Sequence, residues 1–331
     1  MGIKRFLLML ACLMGGNIFY YLHAQQLPLY SQYIQNIFIL NPAAAGHDGY
    51  TTYNMTARRQ WIGYKDGPQT YSASGQMRLL KKQKAVAQGK LQGGRSGRVG
   101  VGANFFGDIN GAITKMGIGG TYAYHIYFQN SQLSFGLTGK IMQVGIDKNK
   151  LSFEDNSSEP LWNQLGRNIY IPDAQVGVYW SSIKGFIGLS VDQLFESAVS
   201  LTSNDVDYRM RRQYYLLGGY NFPIGDNYDL EPSFLIKMNE KVLKGSLATS
   251  QADIGARFFI GKMYWLGCYY RTAYKGTYIL SLGMRYNQFI FGYAFDYSSS
   301  GITNATYGSH EFVLALKFGD SARRYRWIER Y

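Results

Sequence analysis

The residues whose types and spacing invite chemistry are few. Beyond residue 24 the chain carries three histidines, His47, His125 and His310. Ser309-His310-Glu311 has the letters of a nucleophile, a base and an acid. On a strand, however, neighbouring side chains point to opposite faces, so His310 turns away from Ser309 and Glu311 and no hydrogen-bonded relay forms. A hydrolase would need His125 or His310 with a remote serine. Gly97-Arg98-Val99-Gly100-Val101-Gly102 and Gly117-Ile118-Gly119-Gly120 resemble phosphate loops only in glycine content. They lack the Lys-Ser/Thr ending and the strand-to-helix context, and they sit inside strand patterns, where glycine permits close approach or bending. No His, Cys or Asp cluster has zinc spacing, and no calcium-loop pattern occurs. The sequence therefore reads as non-enzymatic, with no catalytic, cofactor-binding or metal residues assigned.

The elements around these residues are read from composition first. Of 331 residues, 46% are apolar and 17% charged, with 29 Tyr, 19 Phe and 39 Gly. So many aromatics exclude a disordered chain. Outside the first 24 residues no run approaches the ~18 apolar residues of a spanning helix. Lys4 and Arg5 precede an apolar stretch, Phe6 to Met14, and small and mixed residues follow to Ala24. Residues 1–24 thus read as a secretory signal peptide, with a lipoprotein site at Cys12 the alternative. Cleavage after Ala24 leaves Cys268 as the only cysteine, so backbone ladders and packing must hold the fold.

Period-2 alternation dominates from about residue 50 to 318. In Gln288 to Tyr297, Phe289, Phe291, Tyr293, Phe295 and Tyr297 share one face, and Ile290, Gly292, Ala294 and Asp296 the other. Glu311 to Phe318 repeats the pattern, with Phe312, Leu314, Leu316 and Phe318 opposite Glu311, Val313, Ala315 and Lys317. A soluble sandwich also alternates. An aromatic face against one of small and charged residues fits a lipid-facing wall around a partly polar lumen better. Segmentation gives about fourteen strands, at 50–60, 69–79, 98–107, 114–127, 132–146, 173–181, 185–194, 209–222, 228–239, 249–260, 263–274, 277–286, 288–298 and 308–318. Most reach about ten residues, the length that crosses a bilayer when tilted. With the mature N-terminus in the periplasm, the tight joins at 128–131, 182–184, 261–262 and 287 fall on that side. The long connections at 147–172, 195–208 and 299–307 fall outside, as in outer-membrane barrels, with the short outer join at 275–276 and the long periplasmic one at 80–97 as exceptions. The expected fold is an all-β, transmembrane, antiparallel up-and-down barrel.

Formal charge is +13. From Arg78 to Arg98 there are seven Arg or Lys and no acid, among them Lys81, Lys82, Lys84, Lys90 and Arg95; the tail adds Arg323, Arg324, Arg326 and Arg330. Both stretches fall on the periplasmic side and read as a docking patch for a protein partner. The alternative is contact with anionic headgroups of outer-membrane lipid and lipopolysaccharide, at about 1 kcal/mol per basic residue. Export removes the chain from cytoplasmic nucleic acid, and no nucleic-acid partner is expected.

Several ordered motifs punctuate the strands: Tyr30-Ser31-Gln32-Tyr33, Asn41-Pro42-Ala43-Ala44-Ala45-Gly46, Arg58-Arg59-Gln60-Trp61-Ile62-Gly63, Gly67-Pro68-Gln69-Thr70, Ile171-Pro172-Asp173, Gly292-Tyr293-Ala294-Phe295-Asp296-Tyr297 and Gly308-Ser309-His310-Glu311-Phe312. In this order they resemble the PorP/SprF family of outer-membrane proteins, which belongs to the type IX secretion and gliding-motility machinery of Bacteroidota. Ala44-Ala45, where the family often has a tyrosine, and the basic tail over 319–331 depart from its pattern. The resemblance implies a barrel that assists secretion or surface anchoring of cargo bearing a C-terminal sorting domain, often a large adhesin. It also implies a link to periplasmic and outer-membrane secretion-machinery proteins. A passive porin or small-molecule transporter is the alternative function.

The resulting domain plan is a signal peptide over 1–24, a lead-in or plug over 25–49, a barrel over 50–318 and a basic tail over 319–331. Leu27 to Gly46 is expected within or across the barrel mouth, because a lumen of this width needs filling. Ser31 is expected to cap a short helix that ends before Asn41-Pro42. Asp296 and Glu311 are expected to point into the lumen, with Lys317 and Arg285 as partners.

Overall fold

A computed structural model of the chain describes residues 30–79, 97–147, 150, 168–196, 198–200, 207–239, 250–272, 276–301 and 305–320. The expected signal peptide, Leu27–Leu29, the basic residues Lys81, Lys82, Lys84, Lys90, Arg95, Arg323, Arg324 and Arg326, and most of the 147–172 connection lie outside these. The strands in chain order are β1 (Tyr50–Arg59), β2 (Gln69–Leu79), β3 (Val99–Asn110), β4 (Ile113–Tyr127), β5 (Ser131–Ile146), β6 (Ile169–Ser182) and β7 (Gly185–Asp192). There follow β8 (Ala198–Ser200), β9 (Asp207–Arg209), β10 (Gln213–Tyr220), β11 (Phe222–Ile224), β12 (Tyr228–Asn239) and β13 (Gln251–Ile260). The last are β14 (Tyr264–Arg271), β15 (Thr277–Tyr286), β16 (Phe289–Ser298) and β17 (Ser309–Asp320).

Each wall strand pairs antiparallel with its neighbour, and β1 pairs with β17 to close the ring. β11 prolongs β10 past a break at Asn221, and β8 with β9 forms a separate hairpin, so fourteen staves make the wall. Closure leaves the wall without a free lateral strand, the condition for strands to cross lipid.

Burial is inverted relative to a soluble protein. Ile118, Leu189, Leu280 and Phe312 are each more than half exposed, whereas Arg58, Thr70, Gln132, Asp253 and Glu311 are buried. Such a belt would be unstable in water and is matched to hydrocarbon. On β15 the outward stripe runs Tyr278, Leu280, Leu282, Met284, Tyr286. Its two tyrosines are roughly 27 Å apart along the strand, so the strand's tilt brings their separation near the ~25 Å height of an apolar band. Tyr71, Tyr270 and Tyr297 join Tyr278 at one rim, and Tyr228 and Tyr264 join Tyr286 at the other. These two girdles decide against a sandwich.

Several strand ends differ from the sequence reading by two to four residues, β3 for instance ending at Asn110 rather than 107. β6 begins at Ile169, which places Pro172-Asp173 inside the strand. Its partner β7 pairs only from Val176 onward, so Pro172 lies where β6 is paired on the β5 side alone, and its missing N–H is tolerated. The wall strand after the β8–β9 hairpin starts at Gln213, not 209. β17 runs to Asp320, two residues past the expected end at 318.

Residues 30–49 fill the lumen. They form a 3-10 turn at Tyr33–Asn36, one α-helical turn at Ile37–Leu40 and a second 3-10 turn at Pro42–Ala44. Tyr33, Ile37, Leu40, Ala43 and Ala44 pack with the wall residues Tyr179, Phe186, Tyr215, Leu217 and Leu235. Wall glycines make room for this backbone. A Cβ on Gly136 would collide with Ala43 N and with the Pro42 carbonyl, and one on Gly100 would strike the Ala45 carbonyl oxygen. Of the two glycine runs seen in the sequence, the first meets the plug, Gly100 at Ala45 and Gly102 at Phe38, whereas Gly117 and Gly119 face the wall residues Phe106 and Asn104. Replacing Gly136 by Val should dislodge the Pro42–Ala44 turn while leaving the ladder intact. The variant should keep its heat-modifiable electrophoretic mobility but conduct ions in planar bilayers where the parent does not.

Candidate functional site

The residues gathered by the closed wall form a clamp on the start of the plug. Arg58 precedes the last residue of β1, and register pairs it with Glu311 of β17. Asp296 lies one strand further, on β16, and Arg271 ends β14. Alternation turns all four inward, where each is at least 97% buried. Arg58 Nη2 donates to Asp296 Oδ2 at 2.7 Å, and Arg58 Nη1 to Glu311 Oε2 at 3.2 Å. Arg271 grips Asp253 through Nε, at 3.0 Å to each carboxylate oxygen, and through Nη2, at 2.8 Å to Oδ2; its Nη1 lies 3.4 Å from Asp296 Oδ2.

The plug enters this lattice as a partner. Glu311 accepts the backbone N–H of Ser31 at 2.7 Å on one oxygen and that of Gln32 at 2.8 Å on the other. The Ser31 hydroxyl donates to Asp296 Oδ2 at 2.7 Å and accepts from Arg58 Nη1 at 2.5 Å. Arg271 Nη2 donates to the Tyr30 carbonyl at 3.1 Å. A carboxylate taking two adjacent backbone N–H groups holds the chain's direction as well as its position. Two expectations are corrected here. Ser31 does not cap the helix: no side chain caps either the Tyr33 or the Ile37 turn. The carboxylates take Arg58 and Arg271, not Lys317 and Arg285: Lys317 shares the inward face of β17 with Glu311 but lies six residues further along, near the opposite rim, where it meets Asp48.

Below the clamp, the remaining motif residues fix the plug's descent. Asn41 is fully buried; its Nδ2 donates to the carbonyls of Val178 at 3.0 Å and Leu189 at 3.1 Å, and its Oδ1 accepts from Ala43 N at 3.0 Å. That last bond caps the turn that Pro42 opens. Gln175 and Ser190 donate to the Leu40 carbonyl at 2.8 and 2.6 Å. His125 Nε2 lies 3.1 Å from the Ala45 carbonyl, so that nitrogen carries the proton; Nδ1 then accepts from Gln132 Nε2 at 3.0 Å. His125 is therefore a plug anchor. Gly46, at φ +66, donates its N–H to Gln76 Oε1 at 3.1 Å. Arg78, counted from sequence within the basic run, points into the lumen and donates to the His47 carbonyl at 2.7 Å.

At the base, burial pushes the Asp48 carboxyl up, but Lys317, His47 and the Tyr50 N–H outweigh it and hold the group at about 2. Its Oδ2 accepts from Lys317 Nζ at 3.1 Å.

Around the rim, Trp61 donates its N–H to Ser309 Oγ at 3.2 Å, and backbone pairing of Ile62 with Gly308 and Tyr307 continues the β1–β17 seam. Gly63, at φ +98, lies under the Tyr307 ring. The Gly67-Pro68 turn returns the chain to β2, with Gln60 N donating to the Pro68 carbonyl at 2.8 Å. Asp173 ties β6 to the segment after β7 by accepting from Phe195 N at 3.2 Å. His310 sits on the outer face, with Nδ1 2.7 Å from the Tyr293 hydroxyl, and Glu311 points inward as alternation requires. A cavity of about 260 Å³ above the clamp is lined by Arg58, Trp61, Arg271, Thr277, Asp296 and Tyr307, among others. Among the described residues no His, Cys, Asp or Glu group could hold a metal ion, and no helix is long and apolar enough to cross a membrane.

A family model described as "Type IX secretion system membrane protein PorP/SprF" matches residues 22–316. The chain belongs to the PorP/SprF family. This PorP/SprF protein is thus an outer-membrane barrel of the type IX secretion system. Among solved structures, it is similar to the Ralstonia pickettii toluene transporter TbuX, with 11% identity over 85% of this chain and 92% of that one and a TM-score of 0.52. The Acinetobacter baumannii outer-membrane protein Omp33 aligns at 8% identity over 82% of this chain and 99% of that one, with a TM-score of 0.42. No protein with a curated function matches the chain. At 11% identity the likeness to TbuX speaks for the barrel fold alone.

Sequence reasoning placed Asp296 and Glu311 in the lumen but assigned no role to Arg58, Arg271 or Asp253, and cast Ser31 as a helix cap. Arg58 stood inside a quoted motif, yet its pairing depends on closure between strands about 250 residues apart in sequence. Arg58→Ala should leave two buried carboxylates short of a cation and cost about 3–5 kcal/mol in urea unfolding from detergent micelles. Adding Asp296→Asn and Glu311→Gln should recover part of that loss. For Asp48, a depressed folded pKa means that its contribution is full above the ordinary carboxylate range and fades as pH falls towards 2. Protection of the His47–Tyr50 amides from hydrogen exchange should fall over that window in the parent, but not in Asp48→Asn.

Proposed function

We propose that this barrel is a non-enzymatic recognition subunit, which anchors or assists export of a cargo protein bearing a C-terminal sorting domain and links it to periplasmic machinery. The observation that carries this reading is the filled lumen: the plug runs the height of the wall, bonded to strands on all sides, so the working surfaces are the two ends. Membership of a secretion-system family supports protein cargo over a small-molecule solute. Recognition at the outer end falls to the connections over 147–168 and 193–212, the longest at that rim. At the other end the basic stretch over 80–98 and the tail offer cations to an acidic periplasmic partner or to lipid headgroups.

Exchanging 147–168 and 193–212 for those of a relative should change which secreted protein is retained on the cell surface; an unaltered surface proteome would refute the assignment. Changing Lys81, Lys82, Lys84 and Lys90 to Gln should reduce co-purification of periplasmic machinery proteins, and salt should weaken the parent complex in the same way. In planar bilayers the parent should show no steady conductance. Stable channels would instead favour a porin.

A further inference from the structure

The plug has a direction, and that direction fixes where the chain before it emerges. Its first described residues, Tyr30 and Ser31, are bonded to Arg271, Asp296, Glu311 and Arg58. Arg271 is the last residue of β14, Arg58 the last but one of β1, and Glu311 the third of β17. All lie at the rim where the long connections 147–168 and 193–212 are found. Descending, the chain meets Asn41's partners midway down β6 and β7, then Gln76 and Arg78 near the end of β2. It finishes with Asp48 on Lys317, near the end of β17 at the rim of tight turns, before Tyr50 opens β1. On β17 alone, Glu311 and Lys317 are six residues apart, roughly 20 Å along the strand. Residues 30–49 therefore thread the lumen from one mouth to the other.

Outer-membrane barrels keep tight turns on the periplasmic side and long loops outside. We infer that the chain preceding Tyr30 leaves the lumen at the outer mouth, so that the N-terminus left by signal-peptide removal is displayed at the cell surface beside the long loops. The sequence reading, which started the mature N-terminus in the periplasm, does not fit this path. Returning to the periplasm from Tyr30 would require a second pass through a lumen already occupied by Tyr33, Phe38 and Leu40, all buried. The inference rests on topology and does not depend on cargo anchoring.

Two single-cysteine variants in a Cys268→Ser background test it. Leu27→Cys lies just before the described plug, and Lys84→Cys lies in the connection between β2 and β3 at the other rim. Intact cells are treated with a membrane-impermeant maleimide, alongside cells whose outer membrane has been permeabilised. Leu27→Cys should label to the same extent in both, and Lys84→Cys only after permeabilisation. As a second readout, an epitope inserted between Gln26 and Leu27 should bind antibody on intact cells. If Leu27→Cys labels only after permeabilisation, or only after denaturation, the inference is wrong. The same holds if the two positions exchange behaviour.

Discussion

A wall of fourteen strands encloses more space than its own inward side chains can fill, and this mismatch governs the rest of the structure. Small barrels pack their interiors from the wall alone, whereas wide ones are left open or recruit a filler. Here the filler is contiguous with the first strand, and the wall is shaped to receive it. Gly100 and Gly136 lack the side chains that would exclude its backbone, and Gln76 and Gln175 take up peptide groups that its irregular turns leave unpaired. Helices this short have no intrinsic stability in water, since nucleation outweighs a single turn of hydrogen bonds. Their conformation is dictated by the surface they lie on.

The same constraint explains the concentration of charge inside. Arg58, Arg271 and Lys237 face Asp253, Asp296 and Glu311, and elsewhere Arg257 pairs with Glu231 and Lys140 with Asp192. Buried ion pairs add little stability beyond what well-packed apolar residues would supply, and their benefit is in specifying one arrangement. An apolar lumen would let a greasy plug settle in several registers. The clamp admits one, in which two successive N–H groups meet the two oxygens of Glu311. The interior chemistry is therefore that of positioning, and the two ends are left for recognition.

Much of this was legible in the sequence, because alternation survives in a barrel with both faces informative. The outward positions Phe289, Phe291, Phe312 and Leu314 and the inward positions Asp296 and Glu311 all follow from counting by twos. The fourteen staves emerged with their ends shifted by a few residues, most visibly where local rules compete. Pro172 argues against a strand interior until the one-sided pairing of β6 is known, and the β8–β9 hairpin is too short to announce itself. What could not be read was pairing across the seam. Nothing near Arg58 indicates Glu311, and Ser31 looks like a helix cap because its neighbours are helix-forming. Its actual partners come from β1 and β16, brought together only by closure.

Residues 30–49 run through the ring that their own continuation builds. The seam between Tyr50–Arg59 and Ser309–Asp320 and the leading residues of the plug are held by the same side chains, Arg58 and Glu311. The charged residues that meet at Ser31 come from both sides of that seam, so they complete their bonds only as the gap disappears. The latch of the barrel and the knot that secures its filling are tied in a single event.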